Sequence, residues 1–339
     1  MKTLVLLLFF TLLSIDSAAQ AAGTKIPSKN TAPIFVLRTD EFWLNLHHFL
    51  YVLARAQNKE RDASRTAVAR APADAEKGLA KLSQKENVAW KQVVDAYAVG
   101  LAKKDAVFDE PLPTIVASVA KAGNARTLKG TSVDAATAAI LEKAAPIYKK
   151  AFWPAHRSAN REWEKMIRPL IRDRGHEILS FLTTAYDMTW PAGFPVHLSA
   201  YANWAGAYSI TGNLLVVSSL APDIRDNYGL ETIFHEGMHQ WDDQIDAALK
   251  GAAQKAGVAA VPDGLSHALI FYTAGEAARR AITGHVPYAE KFGIWQRGLA
   301  RFKIPIVAAW LAHLEGQKNR DEALAELLRR TRTTGSAGR

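Results

Sequence analysis

The chain has 339 residues, 49% of them hydrophobic and 22% charged. That balance excludes a disordered, fibrous or low-complexity protein. It contains no cysteine, which excludes a disulfide scaffold, a thiolate metal site, an iron–sulfur centre and a cysteine nucleophile. The net charge of +9 favours anionic surroundings such as a cell envelope. No nucleic-acid recognition pattern accompanies it, so no nucleic-acid partner is expected.

Met1-Lys2 precedes an apolar run from Leu4 to Leu13, and Ala19 and Ala21 form a small-residue cleavage site. A charged start, apolar middle and small-residue end read as a signal peptide over residues 1–21. The run is too short for a spanning helix, and no later stretch is long and apolar enough for one. The expectation is a secreted or periplasmic protein that does not span the membrane after cleavage. Residues 22–38 read as a linker or short pro-segment.

Residues 39–190 read as a helical domain. Asp40 can cap the first helix, where Phe42, Leu46, Phe49, Leu50 and Leu53 form one stripe at helical spacing. His47 and His48 lie in that apolar helix; they read as hydrogen-bonded core residues, with a place on a cleft wall as the alternative. Residues 60–105 have helix-favouring composition. Ser132 or Asp134 can start a further helix, which Pro146 interrupts or kinks. Another helical region runs from about Ser158 past Pro169 to Tyr186, and its Arg168, Arg172 and Arg174 read as a solvated face.

Trp190 to Pro195 is a turn cluster that opens a second domain, residues 191–330. Val196 to Tyr201 reads as a strand. Ala207 to Ile210 and Leu214 to Ser218, across Thr211-Gly212-Asn213, read as a hairpin. Helical pattern returns from Asp226 to Ala248 and from Leu265 to Ile282. Two more helices follow, and residues 331–339 read as a frayed tail. The fold class is therefore mainly α, of the α+β kind, with a small sheet.

His235-Glu236-Gly237-Met238-His239 is an H-E-x-x-H motif inside the helical stretch from Asp226. Imidazoles four residues apart share one helix face and can reach one ion. Glu236 sits beside them, placed to take a proton from water without ligating the metal. Gly237 weakens a helix and so counts against the motif, although a glycine there can instead allow close approach of backbone or substrate. A catalytic zinc site takes three protein ligands. Glu276 is the expected third, because it is an acidic residue in an apolar helical stretch and needs a partner. The alternative for Glu276 is a salt bridge to Arg279 or Arg280. His267 is the rival ligand; in a loop before the helix it would instead donate to substrate. His285 and His313 are weaker alternatives. Tyr272, four residues before Glu276, can stabilise an oxyanion or simply pack. Asp243, with Asp242 competing, can accept the second N–H of a ligand imidazole.

A helical H-E-x-x-H after a small sheet, with a downstream glutamate, resembles the zincin metallopeptidases of the gluzincin kind over residues 196–282. The resemblance implies zinc held by His235, His239 and Glu276, with Glu236 as general base. It also implies a peptide or protein substrate, laid along an edge strand formed by residues 206–209 or 214–218. The downstream N-E-x-x-S-D form is absent, and Ile245 stands where a metzincin would carry its third histidine. The expected activity is zinc-dependent hydrolysis of peptide bonds. The alternatives are a zinc amidohydrolase acting on cell-wall peptide or small amides, and a zinc-free helical envelope binding protein.

Overall fold

In the computed structural model, which describes residues 32–61, 72, 74–203, 206–210 and 213–336, the chain is mainly α with one small mixed sheet. The expected signal peptide lies outside the described residues. Pro33 to Arg339 forms one compact unit by internal contacts.

Strand β1 (Phe35–Arg38) is followed by helices α1 (Phe42–Arg61), α2 (Ala75–Leu79), α3 (Gln84–Val99), α4 (Leu112–Ala122), α5 (Ala135–Ala151) and α6 (Trp153–Tyr186). Then come β2 (Phe194–Ser199), β3 (Ala207–Ile210), β4 (Leu214–Ser218), α7 (Asp226–Met238) and α8 (Asp242–Ala256). The chain closes with α9 (Leu265–Ala281), α10 (Tyr288–Lys291), α11 (Ala300–Leu314) and α12 (Arg320–Ser336).

Local chemistry starts the helices. Asp134 caps α5 by accepting from the N–H groups of Ala136 and Thr137 at 3.1 and 2.9 Å. Ser83 and Glu86 form a capping box at α3. Asp40 does not cap α1: its carboxylate is held by Arg157 and Arg161. The Phe42 N–H instead donates to Asn124 Oδ1 at 3.1 Å. Helix α5 continues through Pro146, and α12 runs to Ser336, so the tail expected from residue 331 begins inside a helix.

The sheet order is β1-β2-β4-β3. The first two pairings are parallel, and β3 runs antiparallel to β4, with Tyr208 opposite Val216. The expected hairpin strands form at their expected bounds; its turn residues Thr211 and Gly212 lie outside the described residues. Residues 35–38, within the stretch read as linker or pro-segment, are a strand paired with β2.

Side chains alternate across the sheet and feed two cores. Phe194, Val196, Leu198, Leu215 and Val217 pack with Phe234 and Met238 of α7 and Leu269 of α9. Tyr208, Ile210, Leu214 and Val216 face the other way, onto Leu46, Phe49 and Leu50 of α1 and Tyr148 of α5. Each fully buried side chain of this size stabilises the fold by roughly 1.5–3 kcal/mol. Polar ties fix the layers. Asn45 of α1 donates to Leu198 O and accepts from Ala200 N–H at 3.0 and 2.8 Å. His47 and His48 are core residues, as read from the sequence. His47 bonds Tyr97 Oη, and His48 bonds Ser199 Oγ and Tyr208 Oη.

Candidate metal centre

Helix α7 runs between the sheet and α9, and every residue from Gly229 to Met238 is buried. The motif is therefore not at mid-helix: His235 and Glu236 occupy the last turn of α7. His239 opens a single tighter turn, His239–Trp241, before α8 begins at Asp242. The expected continuous helix from Asp226 to Ala248 is thus two helices joined by that turn.

Gly237 is required by packing. A Cβ there would lie 2.4 Å from Trp190 Cη2, so the close approach is by this indole. Trp190 also meets Trp241 edge-on, and Trp241 Nε1 donates to Thr189 O at 3.0 Å. Together they clamp the helix end to the turn before β2. From the other side, Ser209 Oγ on β3 donates to the carbonyl of Glu236 at 2.8 Å. The outer strand of the sheet therefore lies against the motif.

Three imidazoles meet at this end. The ring centroids of His235, His239 and His267 are 5.2, 5.4 and 5.2 Å apart, a near-equilateral triangle. One ring nitrogen from each lies within 4.8 Å of the others, so the group can hold a metal ion. His267 is in the first turn of α9, not in the loop before it. The group grades from buried His235 through half-buried His239 to exposed His267, which leaves one side open to solvent.

The electrostatics suit a cation. Burial and the neighbouring imidazoles hold His235 well below the usual histidine range. Loss of solvent on the inner side of its ring, together with His239, brings His267 down to about 4. Both are therefore neutral at pH 7, the form in which imidazole binds a metal. Burial opposes charge on His239 too, but Asp242 and Glu236 outweigh it and raise its pKa. Asp242, rather than Asp243, accepts from His239 Nδ1, with both oxygens at 3.0 Å. That bond commits Nδ1 to the proton and leaves Nε2 for an ion. His235 Nδ1 is buried without a hydrogen-bond partner among the described residues, an unmet demand on one of the three rings. Phe271, one turn after His267, lays its ring 3.9 Å from that of His235 and 4.8 Å from that of His267.

Glu236 is buried at 9% exposure. Burial raises its pKa, partly offset by His239 and Ser209, which moves the carboxyl toward the range of a general base.

Glu276 does not join the imidazoles. Arg279 binds it through two hydrogen bonds, Nε to Oε1 at 2.9 Å and Nη2 to Oε2 at 2.7 Å, and Arg280 lies 3.7 Å away. This is the salt bridge weighed against it, so the third member of the group is His267. Tyr272 shares the surroundings of Glu276, and burial together with that negative neighbour pushes its phenol up to about 12. The aromatic ring beside the imidazoles is Phe271. His285 and His313 are spent elsewhere, on Glu231 and on the carbonyls of Ala185 and Lys318.

Glu231 went unnoticed in the sequence. One turn before His235 and 2% exposed, it accepts from His285 Nε2 at 2.6 Å and from Tyr288 N–H at 2.9 Å. It anchors α7 to the start of α10. The signal that drew attention to Glu276, an acid in an apolar helix, was equally present here.

Comparisons with family models, with curated proteins and with solved structures find no match.

Proposed function

We propose that this chain is an exported, zinc-dependent hydrolase of peptide bonds, of the zincin kind. One observation carries the reading: three converging imidazoles, two from an H-E-x-x-H motif, with the motif glutamate buried beside them. His235, His239 and His267 would hold the ion, an all-imidazole set like that of some catalytic zinc sites. The unpartnered His235 Nδ1 and the neutral state of two of the rings support the fit. Zinc bound there supplies Lewis-acid chemistry, polarising a carbonyl and lowering the pKa of water to about 7.

The chain's own groups do the rest. Glu236 takes a proton from the attacking water and returns it to the leaving amine. Burial raises its pKa, which makes the carboxylate a better proton acceptor. Asp242 fixes the ring of His239. Strand β3, outermost in the sheet and tied to Glu236 through Ser209, is positioned to receive an extended substrate backbone by strand addition. The exposed side at His267 provides entry.

The test is hydrolysis of a fluorogenic peptide panel by the zinc-loaded mature protein, beside Glu236→Gln. Cleavage by the wild type, reduced about 10²–10⁴-fold in the variant, is the expected result. Cleavage of small acylated amides but not of peptides would move the reading to an amidohydrolase. Zinc binding with no hydrolysis of either class would remove the catalytic claim.

A further inference from the structure

The strands that carry the metal-centre core on one face border a cleft on the other. Phe194, Val196 and Leu198 of β2 point toward α7, so Pro195 and His197 point away from it. There the helical layer stands back. Ala117, Ala120 and Lys121 of α4 form one wall, and the segment from Thr39 to Glu41 forms the other. The space between is about 880 Å³. That is the size of a small-molecule site.

Its polar lining is unevenly paired. Glu41, nearly buried, accepts from His197 Nδ1 at 2.7 Å. The two side chains are only 12% and 13% exposed. This bond fixes the imidazole ring and leaves Nε2 without a partner among the described residues. Asp40 is fully engaged by Arg157 and Arg161, which lie outside the lining. Arg38 and Lys121 both line the cleft, and neither has an acidic partner among the described residues. The cleft therefore presents two cations with no carboxylate in ion-pair contact among the described residues, and an imidazole braced by the Glu41 carboxylate. A carboxylate or phosphate group is the chemistry that donors of these kinds bind.

We propose that this cleft is a binding site for a small anionic molecule, with Arg38, Lys121 and His197 as its polar contacts and Glu41 as the residue that positions His197. It lies across the sheet from the imidazole group and does not depend on what that group does.

The experiment is titration calorimetry of the mature, metal-loaded protein with inorganic phosphate and, separately, succinate at low ionic strength. It compares wild type, the double variant Arg38→Gln with Lys121→Gln, His197→Gln, and Arg174→Gln as an exposed-cation control on α6. The two cleft cations are exposed, so the double variant folds; circular dichroism checks this for His197→Gln. Saturable binding is expected in wild type and control, weakened at least about tenfold in the double variant, the equivalent of one lost charge-assisted hydrogen bond. The tighter probe tells a phosphoryl ligand from a carboxylate. No saturable binding of either probe, or equal binding by wild type and double variant, would overturn the proposal.

Discussion

Both carboxylate oxygens of Asp242 lie 3.0 Å from Nδ1 of His239, while Asp243 makes no such contact. The break between α7 and α8 produces this: one 3-10 turn brings the first residue of α8 back onto the imidazole. The bond sets the tautomer and the ring angle of a metal-facing group. Asp242→Asn should weaken zinc affinity about 10–100-fold, measured by competition with a chromogenic chelator. Asp243→Asn should leave affinity near wild type. Equal effects of the two changes would show that the bond does not orient the ring.

Gly237 and Gly251 separate packing from propensity. Both are helical, but a Cβ on Gly237 meets the Trp190 indole at 2.4 Å, whereas one on Gly251 meets nothing within 4 Å. In urea denaturation, Gly237→Ala should cost about 1–3 kcal/mol through overpacking. Gly251→Ala should stabilise by roughly 0.5–1 kcal/mol. A stabilising Gly237→Ala would mean that Trp190 is free to move aside.

Legibility followed locality. The strands 207–210 and 214–218 were readable because their pattern and turn are contiguous. His235 and His239 were readable because i and i+4 on a helix fix their relation without the rest of the fold. Strand β1 was not: four residues give too little period, and its partner Phe194 is remote in sequence. The third imidazole ranks only as the rival ligand in the sequence for a similar reason. His267 reaches the others only because α9 packs on α7, a tertiary fact that no spacing rule encodes. Glu276 misled because an acid in an apolar helix demands a partner but does not say which, and Arg279 answers from three residues away. Glu231 shows the same demand met by His285.

Asn45 reports on how the helical layer is joined to the sheet. Its side chain satisfies Leu198 O, Ala200 N–H and the Asn160 amide, all buried. Asn45→Ala should destabilise by about 1–3 kcal/mol for each group left unpaired. Denaturation with both far-ultraviolet and tryptophan signals checks this. A change below ~0.5 kcal/mol would show that water replaces the amide.

Acid sensitivity should centre partly on Asp74. Burial raises its pKa, but bonds from His156 and Tyr201 outweigh it and hold the carboxyl below its ordinary 3.8. A carboxyl whose pKa is lower folded than unfolded contributes stability above the unfolded value and loses it as pH falls through the folded value. Wild type should therefore lose stability below about pH 4. Asp74→Asn should be less stable at pH 6 and show a shallower decline in acid. An unchanged decline in the variant would assign the acid response to other carboxyls.

The most direct measurement is zinc content of the purified protein after dialysis, for wild type, His267→Ala and Glu276→Gln. About one zinc per chain is expected in wild type and in Glu276→Gln, with zinc lost or much weakened in His267→Ala. Zinc retained in His267→Ala but lost in Glu276→Gln would contradict the three-imidazole centre, and no zinc in wild type would contradict the metal site altogether.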